Sequence, residues 1–205
     1  MPSWKLENAD LIAAANKYTF FKPSRATIAK VAPGEVVKLI FSFESDDPDA
    51  PSAERMWVLV DKVEPDGRFL GRLDNHPGWI KDSKAGDPVE FDASHIISTE
   101  HPEEGEDLPS RYAKRCFVTH RILCDGVPVG CLYREEPDRE DDSGWRFLAG
   151  DETEAYMEDS DNCSYVSVGA VLAMDDTFIH LLDAEAGAAF ERDEETGSFI
   201  ACECD

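Results

Sequence analysis

The residues most suited to chemistry are carboxylates set at short spacing in the second half of the chain. Asp138, Glu140 and Asp142 alternate as ligands do in a calcium-binding loop. A loop of that type needs a glycine at its sixth position and a glutamate at its twelfth. Here the seventh position is Gly144 and the twelfth is Ala149. We therefore expect a solvated acidic loop rather than a calcium site.

A second candidate set for metal binding consists of Cys116, His120, Cys124 and Cys131. We expect these residues on extended strands, where positions four apart are separated by roughly 13 Å. That is too far to share a zinc ion with ligand bonds of about 2.0–2.3 Å. The six cysteines, which include Cys204, contain no Cys-x-x-Cys pair. We expect reduced thiols, a hydrogen-bonded histidine, and neither a metal nor another cofactor.

Enzyme signatures are missing from the sequence. There is no His-Glu-x-x-His, no Gly-x-Ser-x-Gly and no phosphate-binding glycine-rich loop. A polar cluster at Asp74, Asn75 and His76 is either a small site or a turn with side-chain-to-backbone hydrogen bonds, and the sequence leaves both open. Scattered Asp and Glu could still form a carboxylate pair in space, which a sequence cannot test. We predict that the protein is not an enzyme.

Negative charge dominates the composition and is unevenly distributed. The 205 residues carry a net charge of -24. Residues 1–100 hold 17 acids and 12 basic residues, whereas 101–205 hold 27 acids and 8 basic residues, a net charge of -19. Such a charge disfavours nucleic acid and anionic membranes as partners and favours a basic protein. The simpler alternative is that the charge only maintains solubility.

The elements of the first half follow from apolar patterning. A short helix is predicted to end near Asn16, and Ser24 is a suitable cap for a second helix. The other segments are predicted strands, bounded by Pro, Gly and Asp turns. These strands are 36–43, 56–63, 68–73, 79–80 and 89–91.

The second half is predicted to alternate strands with short helices. We expect a strand through Leu123, with Trp145 and Phe147 on the core-facing side of another strand and Arg146 on the other, where it could pair with Asp142 or Glu152. Asp151 stands where a helix cap is expected. The predicted elements are strands 116–123, 129–134 and 144–148, a helix from Asp151 to about 157, helical pieces 166–174 and 177–182, and a final hairpin of 188–192 and 198–202.

The first half resembles a small bacterial domain family of unknown function. The resemblance implies a compact β-rich module and carries no activity with it. It rests on Pro-Gly-Glu-Val-Val-Lys-Leu-Ile-Phe at 33–41, Met-Trp-Val at 56–58, Gly-Arg-Leu-Asp-Asn at 71–75 and Lys-Ala-Gly-Asp-Pro-Val-Glu-Phe at 84–91.

The second half resembles the thirty-third numbered class of immunity-protein domains of bacterial polymorphic toxin systems. The resemblance spans about residues 114–200 and implies that the domain binds and neutralises a toxin. It supplies no active-site residues. It rests on Tyr133-Arg134-Glu135-Glu136-Pro137, Asp142-Ser143-Gly144-Trp145-Arg146-Phe147, Gly150-Asp151-Glu152, Tyr156-Met157, Leu181-Leu182-Asp183-Ala184 and Gly187-Ala188-Ala189-Phe190-Glu191-Arg192.

We therefore predict an α+β protein of two small domains, each a mainly antiparallel sheet with short helices. The domains are 1–100 and 110–205, joined by an acidic, proline-containing linker at 101–109. Because Leu108 is the only large apolar residue of that linker, we expect the domains to fold independently. No stretch reaches the roughly 18 apolar residues of a membrane span. The N-terminus carries acids where a signal peptide is basic, so we expect a cytoplasmic protein.

The predicted function is non-enzymatic protein binding, with immunity against a basic toxin domain as the first hypothesis. A general regulatory or scaffold role is the alternative, and an uncharacterised hydrolase is third. The sequence leaves the identity of the partner, the domain that binds it and the oligomeric state open. The predicted partner surface consists of Glu135, Glu136, Asp138, Glu140, Asp141, Asp142 and Arg146.

Overall fold

The computed structural model describes residues 2–202. The chain divides into two compact units. The first contains the chain up to Asn16 and Phe20–Glu106, and the second contains Lys17–Thr19 and the chain from Asp107 onward. Within residues 2–202, each unit is built on a six-stranded sheet with short helices. The predicted α+β fold is therefore confirmed.

The first unit is an antiparallel sheet with strand order β1-β2-β3-β4-β5, in which β6 also pairs with β2. Alternate residues of the second strand, such as Val37, Leu39 and Phe41, are buried in one core because successive side chains point to opposite faces. The elements are β1 Trp4–Leu6, α1 Ala9–Ala15, α2 Arg25–Ile28, β2 Val36–Phe43, β3 Ala53–Val63, β4 Phe69–Leu73, β5 Pro88–Phe91 and β6 Ile96–Thr99.

Two predictions for the first unit have clear outcomes. The side chain of Ser24 caps α2 by accepting from the N–H of Thr27 at 3.1 Å, as predicted. The prediction of a strand at residues 79–80 is wrong. The carboxylate of Glu54 accepts from the backbone N–H groups of residues 78–80, at 2.7–3.2 Å. These donors are therefore satisfied by a side chain, and the segment forms a loop.

The polar cluster at residues 74–76 is at least in part a turn with side-chain-to-backbone bonding. Asn75 Oδ1 accepts from the N–H of Trp57 at 2.7 Å, and the N–H of Asp74 donates to the carbonyl oxygen of Trp57 at 2.8 Å. Both bonds attach the end of β4 to the neighbouring strand β3.

The segment predicted as a linker is divided between the units, since residues 101–106 lie in the first and 107–109 in the second. In the first unit His101 Nε2 lies 2.9 Å from Glu35 Oε2. Glu103 accepts from the N–H of Ser24 at 2.7 Å. This bond and others lower the pKa of Glu103 from 4.5 to about 2. Specific contacts therefore hold part of this segment against the first unit.

The second unit is a mixed sheet with strand order β10-β7-β9-β8-β11-β12. The β7–β9 pair is parallel, and the other neighbouring pairs are antiparallel. The elements are α3 Leu108–Arg111, β7 Arg115–Thr119, α4 His120–Leu123, β8 Cys131–Arg134, β9 Asp142–Leu148, α5 Glu154–Met157, β10 Cys163–Ser167, α6 Val168–Met174, β11 Ala189–Arg192 and β12 Phe199–Ala201.

Two local predictions for the second unit are wrong. The strand predicted through Leu123 ends at Thr119, and a helical turn follows that buries Ile122 completely. Asp151 is not the cap of α5. The side chain of Thr153 caps that helix, and Asp151 instead pairs with Arg121 at 2.6 Å.

The core of the second unit lies between α6 and the inner face of the sheet. Trp145 and Phe147 are 2% and 1% exposed in it, so the prediction that they form core is confirmed. Tyr18 is also buried there, together with Val171 of α6. The second core therefore incorporates a residue from far outside the second half of the sequence.

Candidate partner-binding surface

The centre of the candidate surface is Arg146 on β9. Since the side chains of a strand alternate, Arg146 lies on the outer face of the sheet, opposite Trp145 and Phe147. It is nevertheless buried. Its Nη1 and Nη2 atoms bond the two carboxylate oxygens of Asp142 at 3.1 and 3.0 Å, and its Nε bonds Glu135 at 2.8 Å. The predicted pairing of Arg146 with Asp142 is confirmed.

Asp142 is the buried carboxylate that connects this ion pair to the acidic loop. The guanidinium of Arg146 lowers the pKa of Asp142 to about 2, helped by the N–H groups of Gly144 and Asp138, while burial opposes the shift. The bond from Asp138 is 3.4 Å long and reaches back from the middle of the loop. A buried carboxylate that is ionised at neutral pH therefore holds the loop to the first residue of β9.

The other predicted partner residues are solvent-exposed. Residues 135–141 connect β8 to β9 without regular structure. Within this loop Glu135, Glu136, Asp138, Glu140 and Asp141 are all exposed. The expectation that the whole acidic run is solvated is wrong at its last residue. Asp142 is 1% exposed because Arg146 compensates its charge. The carboxylate of Asp142 and the guanidinium of Arg146 thus lie beneath the surface that the exposed acids form.

A row of aromatic side chains crosses the same outer face. Tyr165 on β10 pairs with Phe117 on β7, Phe117 pairs with Arg146, and Arg146 pairs with Tyr133 on β8. The rings of Phe117 and Tyr165 are 4.9 Å apart, and the Arg146 guanidinium lies 5.0 Å from the Phe117 centroid. The loop reaches this row, since Arg139 stacks over Tyr165 at 5.3 Å.

This aromatic row was missed by the reasoning from sequence. Each member occupies an outward position of a strand, and that alternation is visible in the sequence. That these side chains are adjacent is not visible in the sequence, because it depends on the parallel pairing of β7 with β9 and on the pairing of β10 with β7.

The four residues considered for zinc are used in other ways. Burial raises the pKa of the Cys116 thiol to about 12, and His120 Nε2 lies 2.8 Å from the hydroxyl of Ser164. Cys124 is exposed at the end of α4, whereas Cys131 lies on β8. Within residues 2–202, no three His, Cys, Asp or Glu are grouped so that they could hold a metal. Cys204 lies outside the described residues.

Comparison with known protein families finds a matching family model for each half of the chain. Residues 116–203 match the model of the Immunity protein Imm33 domain. Residues 6–100 match that of an uncharacterized protein family conserved in bacteria, DUF2314. Both resemblances expected from the sequence are confirmed. No curated protein and no solved structure matches the chain.

The Imm33 match indicates an immunity-type, protein-binding role for the second unit, in a class of domains that is typically not catalytic. A protein partner follows from the same match. In the part of the chain that the structure describes, no helix has the length and apolar character needed to cross a membrane.

Proposed function

We propose that this protein is a non-enzymatic, cytoplasmic immunity protein whose second unit binds and neutralises a basic toxin domain. The observation that supports this proposal is the exposed acidic loop 135–141, fixed to the sheet by the buried Asp142–Arg146 pair. The loop belongs to a unit that matches an immunity-protein domain. A loop that is attached by such bonds in the free protein presents its charges at a lower entropic cost when a partner docks.

Charge complementarity is the reason for a basic partner. The second half of the chain has a net charge of -19, and four loop acids are not needed for the buried pair: Glu136, Asp138, Glu140 and Asp141. Fields of this kind raise association rates by about 10- to 1000-fold, and the gain is lost in salt. The same field disfavours nucleic acid as the partner.

We expect neutralisation of these four acids to slow association about tenfold or more at low salt. The variant carries Glu136→Gln, Asp138→Asn, Glu140→Gln and Asp141→Asn, and Glu135 is kept because it pairs with Arg146. The partner is first captured from the source bacterium with the full chain as bait, and is then purified. Association rates are measured as ionic strength rises from about 0.01 to 1 M, over which the Debye length falls from about 30 to 3 Å.

The control variant neutralises four exposed acids elsewhere in the same unit, Glu154, Glu158, Glu194 and Glu195. It changes the net charge by the same amount, so only the position of the charge differs. We expect a smaller reduction in its association rate. Equal rates for the two variants, or a rate of the unmodified chain that does not depend on salt, would show that the loop serves only solubility.

A further inference from the structure

A cleft of about 940 Å³ lies beside the acidic loop on the outer face of the second sheet. Its floor is formed by β8 and β11, with Tyr133 on one strand and Ala189 on the other in direct register. The turn before β11 contributes Ala186 and Gly187 to the lining. Across the sheet from the large side chain of Tyr133 stands a small residue, Ala189.

The cleft carries more negative than positive charge. Glu135, Glu136 and Glu191 line it, with Arg134 as its one cation in the part of the chain that is described. The guanidinium of Arg134 is occupied within the unit. It donates to the carbonyl oxygens of Ser143 and Ala184 and stacks over a ring of the core at 5.7 Å. Arg134 therefore forms no ion pair with these carboxylates in the described structure.

Within residues 2–202, two of the three cleft carboxylates have no ion-pair partner. Glu135 is paired with Arg146, whereas Glu136 and Glu191 form no ion pair with any residue in 2–202. Glu191 lies opposite Cys131 at one end of β8. Glu136 follows the other end of that strand, so the two residues are placed toward opposite ends of β8. Tyr133, half-buried, lies between them.

We propose that this cleft receives an extended basic segment of the partner protein, with an arginine side chain over the ring of Tyr133. A guanidinium stacks on aromatic faces and pairs with carboxylates, and it does both better than an ammonium group. Further positive groups of the segment reach Glu136 and Glu191. The proposal rests on the proposed function only in taking the partner to be a basic protein. It adds a contact site to the long-range attraction exerted by the loop.

The first test uses the full chain and a defined probe, the blocked peptide Gly-Arg-Gly-Arg-Gly, titrated by amide NMR. We expect shifts at Tyr133, Ala189 and Glu191. A peptide with Gln in place of Arg should give none. Tyr133→Ala or the pair Glu136→Gln with Glu191→Gln should weaken peptide binding about tenfold, in line with a lost cation–π contact and charge pairs.

The matched control is the pair Glu194→Gln with Glu195→Gln, which removes the same charge from the nearby β11–β12 turn. We expect it to leave peptide affinity unchanged. The Gln variants keep side-chain shape, so they remain informative if Tyr133→Ala impairs folding. Shifts confined to residues 138–141, or an equal loss of affinity in the control, would overturn the proposal.

The second test separates this proposal from the proposed function by using the captured partner. The variants Tyr133→Ala and Glu191→Gln leave all loop acids in place, so they should raise its dissociation rate about tenfold and leave the association rate nearly unchanged, because they remove short-range contacts. An unchanged dissociation rate with Glu191→Gln would overturn the cleft proposal. The salt-dependent association through the loop would then still support the proposed function. The opposite outcome is an association rate that does not depend on the loop charges, together with faster dissociation from the cleft variants. That outcome would support the cleft proposal and contradict the role of the loop in the proposed function.

Discussion

Replacing Asp142 with asparagine is expected to lower the free energy of unfolding of the second unit by about 3 kcal/mol. Removing one member of a buried ion pair typically costs 3–5 kcal/mol, because the remaining charge loses its compensation. The lower end of that range applies here, since Arg146 would keep its 2.8 Å bond to Glu135. The loss is measured by denaturant unfolding of the full chain, with peptide-resolved hydrogen exchange to identify the unit that opens.

The control is a pair with the same sequence spacing on the surface of the same unit. Arg121 and Asp125 are also four residues apart and form a 2.7 Å ion pair, but both side chains are about one third or more exposed. We expect Asp125→Asn to cost less than about 1 kcal/mol. Similar losses for the two substitutions would contradict the role that the structure gives to burial.

The contribution of Asp142 should also depend on pH. Its pKa is about 2 in the folded chain, below the ordinary value of 3.8. A lowered pKa means that the ionised form stabilises the fold above about pH 4, and that this contribution is lost as the pH falls toward 2. The stability difference between the unmodified chain and Asp142→Asn should therefore shrink over that interval. A difference that is constant from pH 7 to about pH 2 would show that the carboxylate charge contributes nothing.

Replacing Tyr18 with alanine is expected to destabilise the second unit by about 3–5 kcal/mol, the usual cost of deleting a buried aromatic side chain. Tyr18 is 5% exposed in the second core. Its ring contacts that of Tyr112 at 5.9 Å, and its hydroxyl donates to Asp176 at 2.7 Å. Hydrogen exchange should show the loss of protection in α6 and β9.

Two further variants test the same contact from each side. Tyr18→Phe keeps the ring and should cost only about 1 kcal/mol, the value of one hydrogen bond. Gly169→Ala should be costly, because its new Cβ would lie 2.4 Å from the carbonyl oxygen of Tyr18. If Tyr18→Ala leaves the protection of the second unit unchanged, residues 17–19 are not part of its core.

The role of Tyr18 changes what is expected of separate domains. A fragment of residues 110–205 lacks a buried aromatic residue of its own core. Independent folding of the halves remains our prediction, but we expect this fragment to melt at a lower temperature than the second unit of the full chain.

Asp142 should be left intact in any variant meant to test the charge of the loop. Neutralising it would remove the buried partner of Arg146 and so alter folding as well as binding.

The sequence by itself determined the features that depend on local patterning. Period-two alternation placed Trp145 and Phe147 in the core and Arg146 on the opposite face, and turn residues located most strand ends. Composition established the acidic field, and the motifs around residues 133–147 predicted the resemblance to an immunity-protein domain. Alternation, turns and motifs depend on a few consecutive residues, and net charge depends on composition alone. None of them requires knowledge of contacts between distant residues.

Only the tertiary structure decided which distant residues meet. The parallel pairing of β7 with β9 brings Phe117 to Arg146, and the pairing of β8 with β11 opens the cleft beside Tyr133. Burial of Asp142 against Arg146, and of Tyr18 in the second core, also depends on long-range packing. By residue type alone, Asp142 could equally be an exposed acid and Tyr18 an exposed residue of a loop. Their burial is decided by the free energy gained when specific partners compensate a charge or exclude water, and this depends on the assembled fold.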